Sequence, residues 1–261
     1  MHWSERRILL TGASGGIGRA LAETLRDAGA YLLLVGRNTG VLEAMAAQAP
    51  ERSDWFAADL GRAEERQALV EFAREQGIDT LINAAGVNHF GLFAQQPAES
   101  LDTLIHLNVT ATLQLTRALL PLLETADDAW IVNIGSTFGA IGYPGYAGYC
   151  ASKAALRGFS QALRRELADT AIRVHYIAPR ATRTAMNDTA MEALNAELGN
   201  AMDAPESVAR AVLDSVERGI PERHLGRPER LFVRLNALLP GVVDRALRRQ
   251  LATIQRFAGR A

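Results

Sequence analysis

Short apolar segments alternate with amphipathic helical patterns along most of the chain, and this alternation constrains the fold more than any other feature. Six apolar runs predict buried strands, and their sequences are RILLTG, YLLLVG, DWFAADL, IDTLINAAG, AWIVNIGS and IRVHYIAP. Repeated strand-helix-strand units favour right-handed crossovers and a parallel sheet that helices cover on both faces. The sequence therefore predicts an α/β fold, a single doubly wound domain of the Rossmann type that binds ligands at the carboxyl ends of its strands.

Helical periodicity fills the segments between the predicted strands. It predicts helices over 15–28, 39–49, 63–76, 100–125 and 148–169. Another helical pattern within about 180–203 predicts a segment that covers the substrate. We divide the chain into a catalytic domain of residues 1–226 and a C-terminal extension of residues 227–261.

The composition excludes several classes of protein. The 261 residues carry a net charge of −1, which gives no overall attraction to nucleic acid. No stretch approaches the roughly 18 apolar residues of a membrane span, and the N-terminal segment leads directly into a glycine loop, so no signal peptide is predicted. Cys150 is the single cysteine, which rules out an intrachain disulfide and fits a cytoplasmic location. The histidines lack partners at metal-binding spacing, so no metal is predicted.

The segment TGASGGIG, at 11–18, connects the first predicted strand to the first predicted helix. Gly12, Gly16 and Gly18 allow the backbone to approach a pyrophosphate, which then binds the free N–H groups at the start of the helix. The first gap is one residue wider than in the usual G-x-G-x-x-G spacing. The pattern indicates dinucleotide binding, and the alternative is a tight glycine turn that only packs against the strand.

The end of the second strand indicates which dinucleotide binds. NAD-binding proteins usually place Asp or Glu there to bind the ribose 2′-hydroxyl, whereas this chain has Gly36 followed by Arg37. A guanidinium can bind a 2′-phosphate through paired charge-assisted hydrogen bonds, and a carboxylate would repel it. These residues predict NADP(H) as the cofactor; the alternative is that Arg37 is a solvated loop residue.

The sequence YCASK places Tyr149 four residues before Lys153, the only lysine in the chain. On a helix the two side chains share a face, and the ammonium is expected to lower the pKa of the phenol toward the working pH. Such a tyrosine can protonate the alkoxide formed when a hydride reaches a carbonyl, or remove that proton in the reverse reaction. Ser136 follows the preceding strand and can donate a hydrogen bond to the carbonyl oxygen.

These motifs resemble those of the short-chain dehydrogenase/reductase family in its single-domain form. The matching segments follow the family order, and they are TGASGGIG, DL at 59–60, NAAG at 83–86, Asn108, Ser136 and YCASK. The resemblance implies an NADP(H)-dependent oxidoreductase that acts on a small carbonyl or alcohol substrate and assembles as a homodimer or homotetramer. It adds Asn108 to the catalytic residues Ser136, Tyr149 and Lys153, as the holder of a water that connects Lys153 to solvent.

The resemblance also implies which residues contact the cofactor. Asp59 would bond the adenine amino group, residues 83–86 would line the adenosine side and steady the sheet, and Lys153 would bond the nicotinamide ribose. The full set is Gly12, Ser14, Gly16, Ile17, Gly18, Arg37, Asn38, Asp59, Leu60, Asn83, Ala84, Ala85, Gly86, Tyr149, Lys153, Pro179, Thr182 and Thr184. The last three lie in PRATRT, which departs from the family pattern because Arg180 replaces a glycine, and this raises the question of how the loop accommodates a side chain.

The C-terminal extension departs from the commonest family pattern, in which a last strand ends in a Gly-Gly loop. Residues 227–261 contain eight arginines against Glu229 and Asp244, a net charge of +6, so the remainder of the chain carries −7. Apolar residues recur there at helical spacing and predict a basic amphipathic helix; they are Val243, Leu247, Leu251, Ile254 and Ala258. The helix packs on its own body or a partner subunit, lies on an anionic membrane surface, or binds an acidic carrier. We expect the first, and membrane association through 227–261 stays an alternative.

The sequence as a whole predicts an NADPH-dependent oxidoreductase whose substrate is apolar or acyl-like, with Tyr149 as the acid or base. Three methionines within 186–202 suit an adaptable apolar pocket. One alternative is a non-catalytic regulator that binds NADP(H), which the combination of Ser136, Tyr149 and Lys153 argues against. The other is a peripheral membrane protein that acts through its basic C-terminal helix.

Overall fold

A computed structural model describes residues 2–259 and contains, within that range, one sheet of seven parallel strands. The strands are β1 (Arg7–Thr11), β2 (Tyr31–Gly36), β3 (Ser53–Ala57), β4 (Thr80–Asn83), β5 (Ala129–Ile134), β6 (Ile172–Ala178) and β7 (Glu222–His224). Their order across the sheet is β3-β2-β1-β4-β5-β6-β7. The six predicted strands are confirmed as β1 to β6, and the doubly wound α/β fold is confirmed with them.

Helices cover both faces of this sheet. They are α1 (Gly16–Asp27), α2 (Thr39–Ala46), α3 (Ala63–Glu75), α4 (Ala98–Ile105), α5 (Thr112–Leu123), α6 (Ala147–Glu166), α7 (Thr189–Glu197), α8 (Pro205–Glu217), α9 (Arg227–Leu238) and α10 (Pro240–Ala258). A π-helical turn, His106–Ala111, joins α4 to α5. The helix predicted over 100–125 is therefore interrupted at its centre.

The apolar core lies in two layers because successive residues of a strand face opposite sides of the sheet. Leu10 and Leu34 pack with α1, α2 and α8 on one face, while Leu9 and Leu33 pack with α3, α5 and α6 on the other. Burial on both faces requires apolar residues at consecutive positions. This requirement is the reason that the strands are recognisable as short apolar runs.

The strand order reverses between β1 and β4. Doubly wound sheets bind ligands in the crevice at such a reversal, outside the carboxyl ends of the strands. The loops that leave β1, β4 and β5 at that edge carry the glycine loop, the NAAG segment and Ser136. The fold therefore places the predicted cofactor and catalytic motifs around one crevice.

Two elements near the end of the chain, α8 and β7, were not predicted. β7 has three residues and extends the sheet by pairing with Tyr176, Ile177 and Ala178 of β6. A strand this short and polar leaves no apolar run in the sequence, and its position depends on a partner far away in the chain. The last strand is thus present, and Leu225 and Gly226 follow it where the commonest family pattern has a Gly-Gly loop.

The C-terminal extension forms two helices, where sequence analysis predicted one. Leu239 leaves helical backbone geometry, with φ −138° and ψ 63°, and Pro240 begins α10. Proline lacks the N–H that would continue the preceding helix, and it suits the first turn of a new one. Arg227 begins α9, and the domain boundary at 226/227 stays a prediction.

The inner faces of these two helices pack on the body of the protein. Val233 of α9 and Val243 of α10 are buried in a cluster with Ile141. Further along α10, Ile254 and Ala258 are buried in another cluster. The prediction that the extension packs on the body of the protein is therefore confirmed for its inner face.

Among the described helices, none combines the length and the apolar character that crossing a membrane requires.

Candidate active site

The loop between β1 and α1 has no space for side chains at its glycines. Gly12 has a φ of +68°, and a Cβ there would lie 2.8 Å from the Ala85 backbone, while a Cβ at Gly18 would lie 2.0 Å from the Gly12 carbonyl oxygen. Thr11 Oγ1 accepts hydrogen bonds from the N–H groups of Ala84 and Ala85, both at 3.1 Å. The loops after β1 and β4 are thus fastened together as a backbone cradle at the N-terminus of α1, where an anion is favoured.

The end of β2 brings Ser14 and Arg37 into the same neighbourhood. A Cβ at Gly36 would lie 3.1 Å from Ser14 Oγ, and Arg37 follows Gly36 on the exposed surface. Asn38 Oδ1 accepts a hydrogen bond from the Val41 N–H at 3.1 Å and so caps α2. Arg37 and Ser14 can therefore bind a phosphate, whereas Asn38 already holds the start of a helix.

Two residues that were assigned to the cofactor have structural contacts through their side chains. Leu60 is buried in the core, and Asn83 Nδ2 donates to Thr116 Oγ1 at 3.1 Å and to Asn133 Oδ1 at 2.9 Å. Asn83 therefore joins β4 to α5 and β5, and the cofactor assignment of both residues stays a prediction. Asp59 stays at the carboxyl end of β3, where its Oδ1 accepts a hydrogen bond from the Gly61 N–H at 2.9 Å.

Ser136, Tyr149 and Lys153 meet between the carboxyl end of β5 and the start of α6. Lys153 Nζ lies 5.7 Å from the centre of the Tyr149 ring and donates a hydrogen bond to the Ile134 carbonyl oxygen at 3.1 Å. Ser136 Oγ accepts a hydrogen bond from the Phe138 N–H at 3.2 Å. The structure therefore brings the three predicted residues together.

Burial favours the neutral form of both ionisable groups in this trio. It raises the pKa of Tyr149 to about 12, although hydrogen bonding with Ser136 opposes the rise. It lowers the pKa of Lys153 to about 8. The sequence predicted that Lys153 would lower the pKa of Tyr149, whereas burial of the phenol raises it.

Asn108 lies in the π-helical turn between α4 and α5, a kind of turn that is frequent at functional sites. Its Oδ1 accepts a hydrogen bond from the Val87 N–H, and its Nδ2 donates to the Val87 carbonyl oxygen, both at 2.8 Å. A Cβ at Gly86 would lie 3.0 Å from Asn108 Oδ1 and 3.8 Å from Lys153 Nζ. Asn108 and Lys153 therefore both border Gly86.

Tyr176 of β6 supports the catalytic serine, and sequence analysis did not identify it. Its hydroxyl donates to the Ser136 carbonyl oxygen and accepts from the Ser136 N–H, both at 3.3 Å, and the residue is completely buried. A Cβ at Gly135 would lie 2.1 Å from the ring, and one at Gly139 would lie 2.6 Å from the hydroxyl. The two glycines that flank Ser136 are the sequence signal that a bulky group lies against this loop.

Arg180, which replaces the glycine of the family pattern, forms two ion pairs. Its guanidinium bonds Asp203 Oδ1 at 2.7 Å and Glu229 Oε1 at 3.3 Å. No non-glycine residue of the described range has a positive φ, so the loop holds this side chain without left-handed backbone. The two ion pairs therefore connect the loop after β6 to Asp203, at the end of the segment predicted to cover the substrate, and to Glu229 in the first turn of α9.

The loop after β6 also approaches the glycine loop. A Cβ at Gly16 would lie 2.5 Å from Thr184 Cγ2, so Thr184 stands against the first turn of α1. Thr182 Oγ1 donates to the Arg180 carbonyl oxygen at 2.9 Å, and Pro179 and Ile17 line the adjoining cavity. The residues predicted from PRATRT thus border the cleft.

A cavity of about 540 Å³ extends from Ser136 and Tyr149 to the C-terminal helices. Aromatic and aliphatic side chains dominate its lining, and they include Phe138, Ile141, Tyr143, Tyr146, Met186, Met191, Leu194, Phe232, Val243 and Leu247. The hydroxyl groups of Tyr143 and Tyr146 are buried and have no hydrogen-bond partner among the described residues. The cavity therefore suits a ligand with an apolar body and a few oxygen atoms.

Comparisons with known proteins identify relatives in sequence and in fold. A family model described as short chain dehydrogenase matches residues 6–195. Nodulation protein G of Rhizobium sp. (strain N33) is 38% identical over 215 residues, which are 78% of this chain and 88% of that protein.

Solved structures share the fold over nearly the whole chain. A short chain dehydrogenase from Burkholderia cenocepacia J2315, in complex with NADP, gives a TM-score of 0.82 at 25% identity, over 95% of this chain and 99% of that one. A 3-ketoacyl-(acyl-carrier-protein) reductase from Brucella melitensis, complexed with NADH, gives 0.79 at 26% identity, over 86% of this chain and 99% of that one.

Proposed function

The chain belongs to the short-chain dehydrogenase/reductase family, and from that membership we propose that it reduces an apolar or acyl-like carbonyl compound with NADPH, using Tyr149 as the proton donor. It is an oxidoreductase that acts on the CH–OH or C=O group of a small molecule. The observation that carries the proposal is the convergence of Ser136, Tyr149 and Lys153 at one end of an apolar cavity.

NADP(H) is the cofactor that the crevice fits. The cradle at Gly12 and Gly18 leaves no room for a Cβ, as close approach of a pyrophosphate requires. The two solved structures compared above hold NADP and NADH, so the choice between them rests on the end of β2. There Gly36 replaces the acid that binds a 2′-hydroxyl, and the exposed Arg37 offers a guanidinium to a 2′-phosphate.

The reduction needs a hydride for the carbonyl carbon and a proton for the carbonyl oxygen. Bound NADPH supplies the hydride. Ser136 Oγ donates a hydrogen bond to the carbonyl oxygen and positions it. Tyr149 transfers its hydroxyl proton to the same oxygen, so an alcohol forms and a phenolate remains. With a pKa of about 12, Tyr149 carries that proton at neutral pH.

Reprotonation of Tyr149 is the task we assign to Lys153 and Asn108. Lys153 has a pKa of about 8, so its ammonium can give up a proton near neutral pH. Asn108 and Lys153 both border Gly86, and a water held there would connect the ammonium to solvent. The ammonium also stabilises the transient phenolate by its charge.

The substrate class follows from the lining of the cavity. Apolar groups and the flexible thioethers of Met186 and Met191 suit a variable hydrocarbon body. The oxoacyl reductase among the solved relatives acts on an acyl compound, which supports an acyl-like substrate here.

The test is a fluorescence titration of the purified protein with NADPH and NADH. We expect NADPH to bind at least tenfold more tightly, about 1.4 kcal/mol. The variant Arg37→Ala should lose this preference, while Arg19→Ala, which removes an exposed arginine of α1, should keep it. Equal binding of NADH by the wild type would refute the cofactor proposal. Binding of NADPH without turnover of any compound in a panel of aldehydes, ketones and β-keto thioesters would favour the non-catalytic regulator.

We further propose that the protein is a cytoplasmic homodimer or homotetramer that pairs through the α4–α5 and α6 segments. The single cysteine of the chain supports the location, because no intrachain disulfide can form. Light scattering at several protein concentrations tests the assembly, and a monomer throughout would refute it.

A further inference from the structure

The outer faces of α9 and α10 form a surface that we call the hairpin surface. Its apolar members are strongly exposed, with Leu238 at 79%, Leu231 at 67%, Leu239 at 57% and Val242 at 38%. They surround the sharp connection at Leu239 and Pro240. Four large apolar side chains in two adjacent helices and their connection are an unusual concentration for the solvent-facing side of a protein.

Arginines alternate with these apolar residues. On α9, Arg227, Leu231, Arg234 and Leu238 share the face opposite the buried Val233, and on α10, Val242, Arg245 and Arg249 share the face opposite the buried Val243. Each set follows helical spacing of three or four residues. The hairpin surface is therefore apolar and cationic at once.

The positive charge of this surface is not neutralised within the molecule. Glu229 is paired with Arg180, and Arg256 is paired with Glu197. Six further arginines of α9 and α10 have no carboxylate within 4.0 Å among the described residues; they are Arg227, Arg230, Arg234, Arg245, Arg248 and Arg249. Asp244 is the only other acid in the two helices.

We propose that the hairpin surface docks on an anionic phospholipid bilayer. Leucine and valine side chains at the helix connection would enter the boundary between headgroups and acyl chains. The arginine stems would lie along the same apolar boundary while their guanidinium groups reach lipid phosphates. A mixed face of this kind matches a lipid surface, which presents negative charge above hydrocarbon.

A second copy of the chain matches this surface less well. Pairing by twofold symmetry would bring the same face of both copies together, and the four arginines of that face would meet the same four with little acid between them. An acidic protein would match the charge, although nothing in the hairpin surface forms a pocket for a particular side chain. Both occupants are treated below as outcomes that overturn the proposal.

The inner side of the same hairpin forms a wall of the cavity. Phe232 on α9 and Val243, Ala246 and Leu247 on α10 line it. Docking would therefore place the wall of an apolar cavity at the boundary of a hydrocarbon phase. The docking proposal rests on the outer face alone and does not depend on the proposed reaction.

The experiment is co-sedimentation of the full chain with vesicles of phosphatidylcholine alone or mixed with phosphatidylglycerol. We expect binding to the mixed vesicles at low salt, at least tenfold weaker binding to neutral vesicles, and weakening as salt rises. The double variant Leu238→Asp/Leu239→Asp should bind at least tenfold more weakly. Arg245→Gln/Arg249→Gln should bind about 25-fold more weakly, because each arginine near an anionic leaflet is worth about fivefold.

Two control variants make comparable changes at exposed positions outside the hairpin surface. Phe93→Asp removes another apolar residue that is 61% exposed, and Arg74→Gln/Arg210→Gln removes two exposed arginines of α3 and α8. Both should bind vesicles as the wild type does. The Arg245 and Arg249 side chains are exposed, so that variant keeps the test decisive should the leucine variant fail to fold.

The proposal is overturned by equal binding to neutral and anionic vesicles, or by unchanged binding of both hairpin variants. A light-scattering mass that falls on Leu238→Asp/Leu239→Asp, with no vesicle binding by the wild type, would show that a second copy covers the surface. Stable binding of a polyglutamate peptide, lost in Arg245→Gln/Arg249→Gln and without vesicle binding, would show an acidic protein partner. Vesicle binding is measured without NADPH and turnover without vesicles, so failure of one proposal leaves the other intact.

Discussion

The crevice has two walls that are built in different ways. The sheet wall consists of the loops after β1 and β4, where glycines leave no room for a Cβ and hydrogen bonds from two backbone N–H groups to Thr11 Oγ1 fasten the backbone. The helical wall consists of the loop after β6 with α7, α9 and α10. There large apolar side chains face the cavity, and the ion pairs of Arg180 hold the segments together.

This difference reflects what each wall has to bind. A dinucleotide has the same chemical structure in every enzyme that uses it, and a backbone surface without side chains can match it closely. A substrate body varies between enzymes of one fold, and side chains are what evolution can exchange. The sheet wall can therefore be identified from motifs, whereas the helical wall is individual to this chain.

The largest effect is expected where the two walls meet. Tyr149→Phe removes the proton donor but keeps the ring, so kcat should fall about a thousandfold. NADPH affinity, measured by fluorescence, should change less than tenfold. Tyr143→Phe is the matched control, because Tyr143 lines the same cavity and has no lysine one turn later. A comparable loss of kcat in both variants would contradict the role of Tyr149.

A change within the sheet wall should disturb the fold itself. Gly12→Ala adds a Cβ at a positive φ and 2.8 Å from the Ala85 backbone. It should lower the free energy of unfolding by about 3 kcal/mol, measured by urea denaturation. Gly158→Ala, at an exposed helical glycine with nothing within 4 Å of the added Cβ, should instead raise it by about 0.5–1 kcal/mol. An unchanged free energy of unfolding in Gly12→Ala would show that the backbone cradle is not rigid.

The contacts of Glu222 at the edge of the sheet should be sensitive to acid. Glu222 of β7 accepts hydrogen bonds from His224, from Gln161 and from Arg157, and the pKa of its carboxyl is lowered from 4.5 to about 2. Because the folded pKa lies below the unfolded one, the ionised carboxylate stabilises the fold above about pH 4.5. This contribution is lost as the pH falls toward 2. After screening by solvent we expect it to be about 2 kcal/mol.

Urea denaturation between pH 2 and 7 measures this contribution. The variant Glu222→Gln should be less stable than the wild type at pH 7, and the difference should shrink as the pH falls from 4.5 to 2. A difference that stays constant over this range would contradict the lowered pKa.

The smallest effect is expected from loosening the helical wall. Arg180→Ala leaves Asp203 and Glu229 without their counter-charge and should lower the free energy of unfolding by about 1–2 kcal/mol. Because the wall borders the substrate, KM should rise several-fold while kcat changes little. Arg183→Ala, three residues along the loop at an exposed position, is the control and should affect neither quantity. Equal effects of the two variants would show that the ion pairs do not hold this wall.

The sequence predicted the elements that are determined by residues close together in the chain. Strands β1 to β6 are buried on both faces, and that requirement leaves an apolar run in the chain itself. The proximity of Ser136, Tyr149 and Lys153 was also predictable, because Tyr149 and Lys153 are one helical turn apart and Ser136 follows the preceding strand.

Features that depend on distant partners were missed or misjudged. The three polar residues of β7 become a strand only by pairing with β6. The partners of Arg180 lie 23 and 49 residues further along the chain. The pKa of Tyr149 is raised rather than lowered, because helical spacing places an ammonium one turn away but does not show how the fold buries the phenol.

Tyr176 constrains how this active site can change over generations. A Cβ at Gly135 would lie 2.1 Å from the Tyr176 ring, so any other residue at 135 is excluded while the tyrosine is present. Replacing Tyr176 first would remove both hydrogen bonds to the backbone of Ser136. Positions 135 and 176 can therefore diverge only as a pair, and each route between the two arrangements passes through an ancestor with an impaired serine loop.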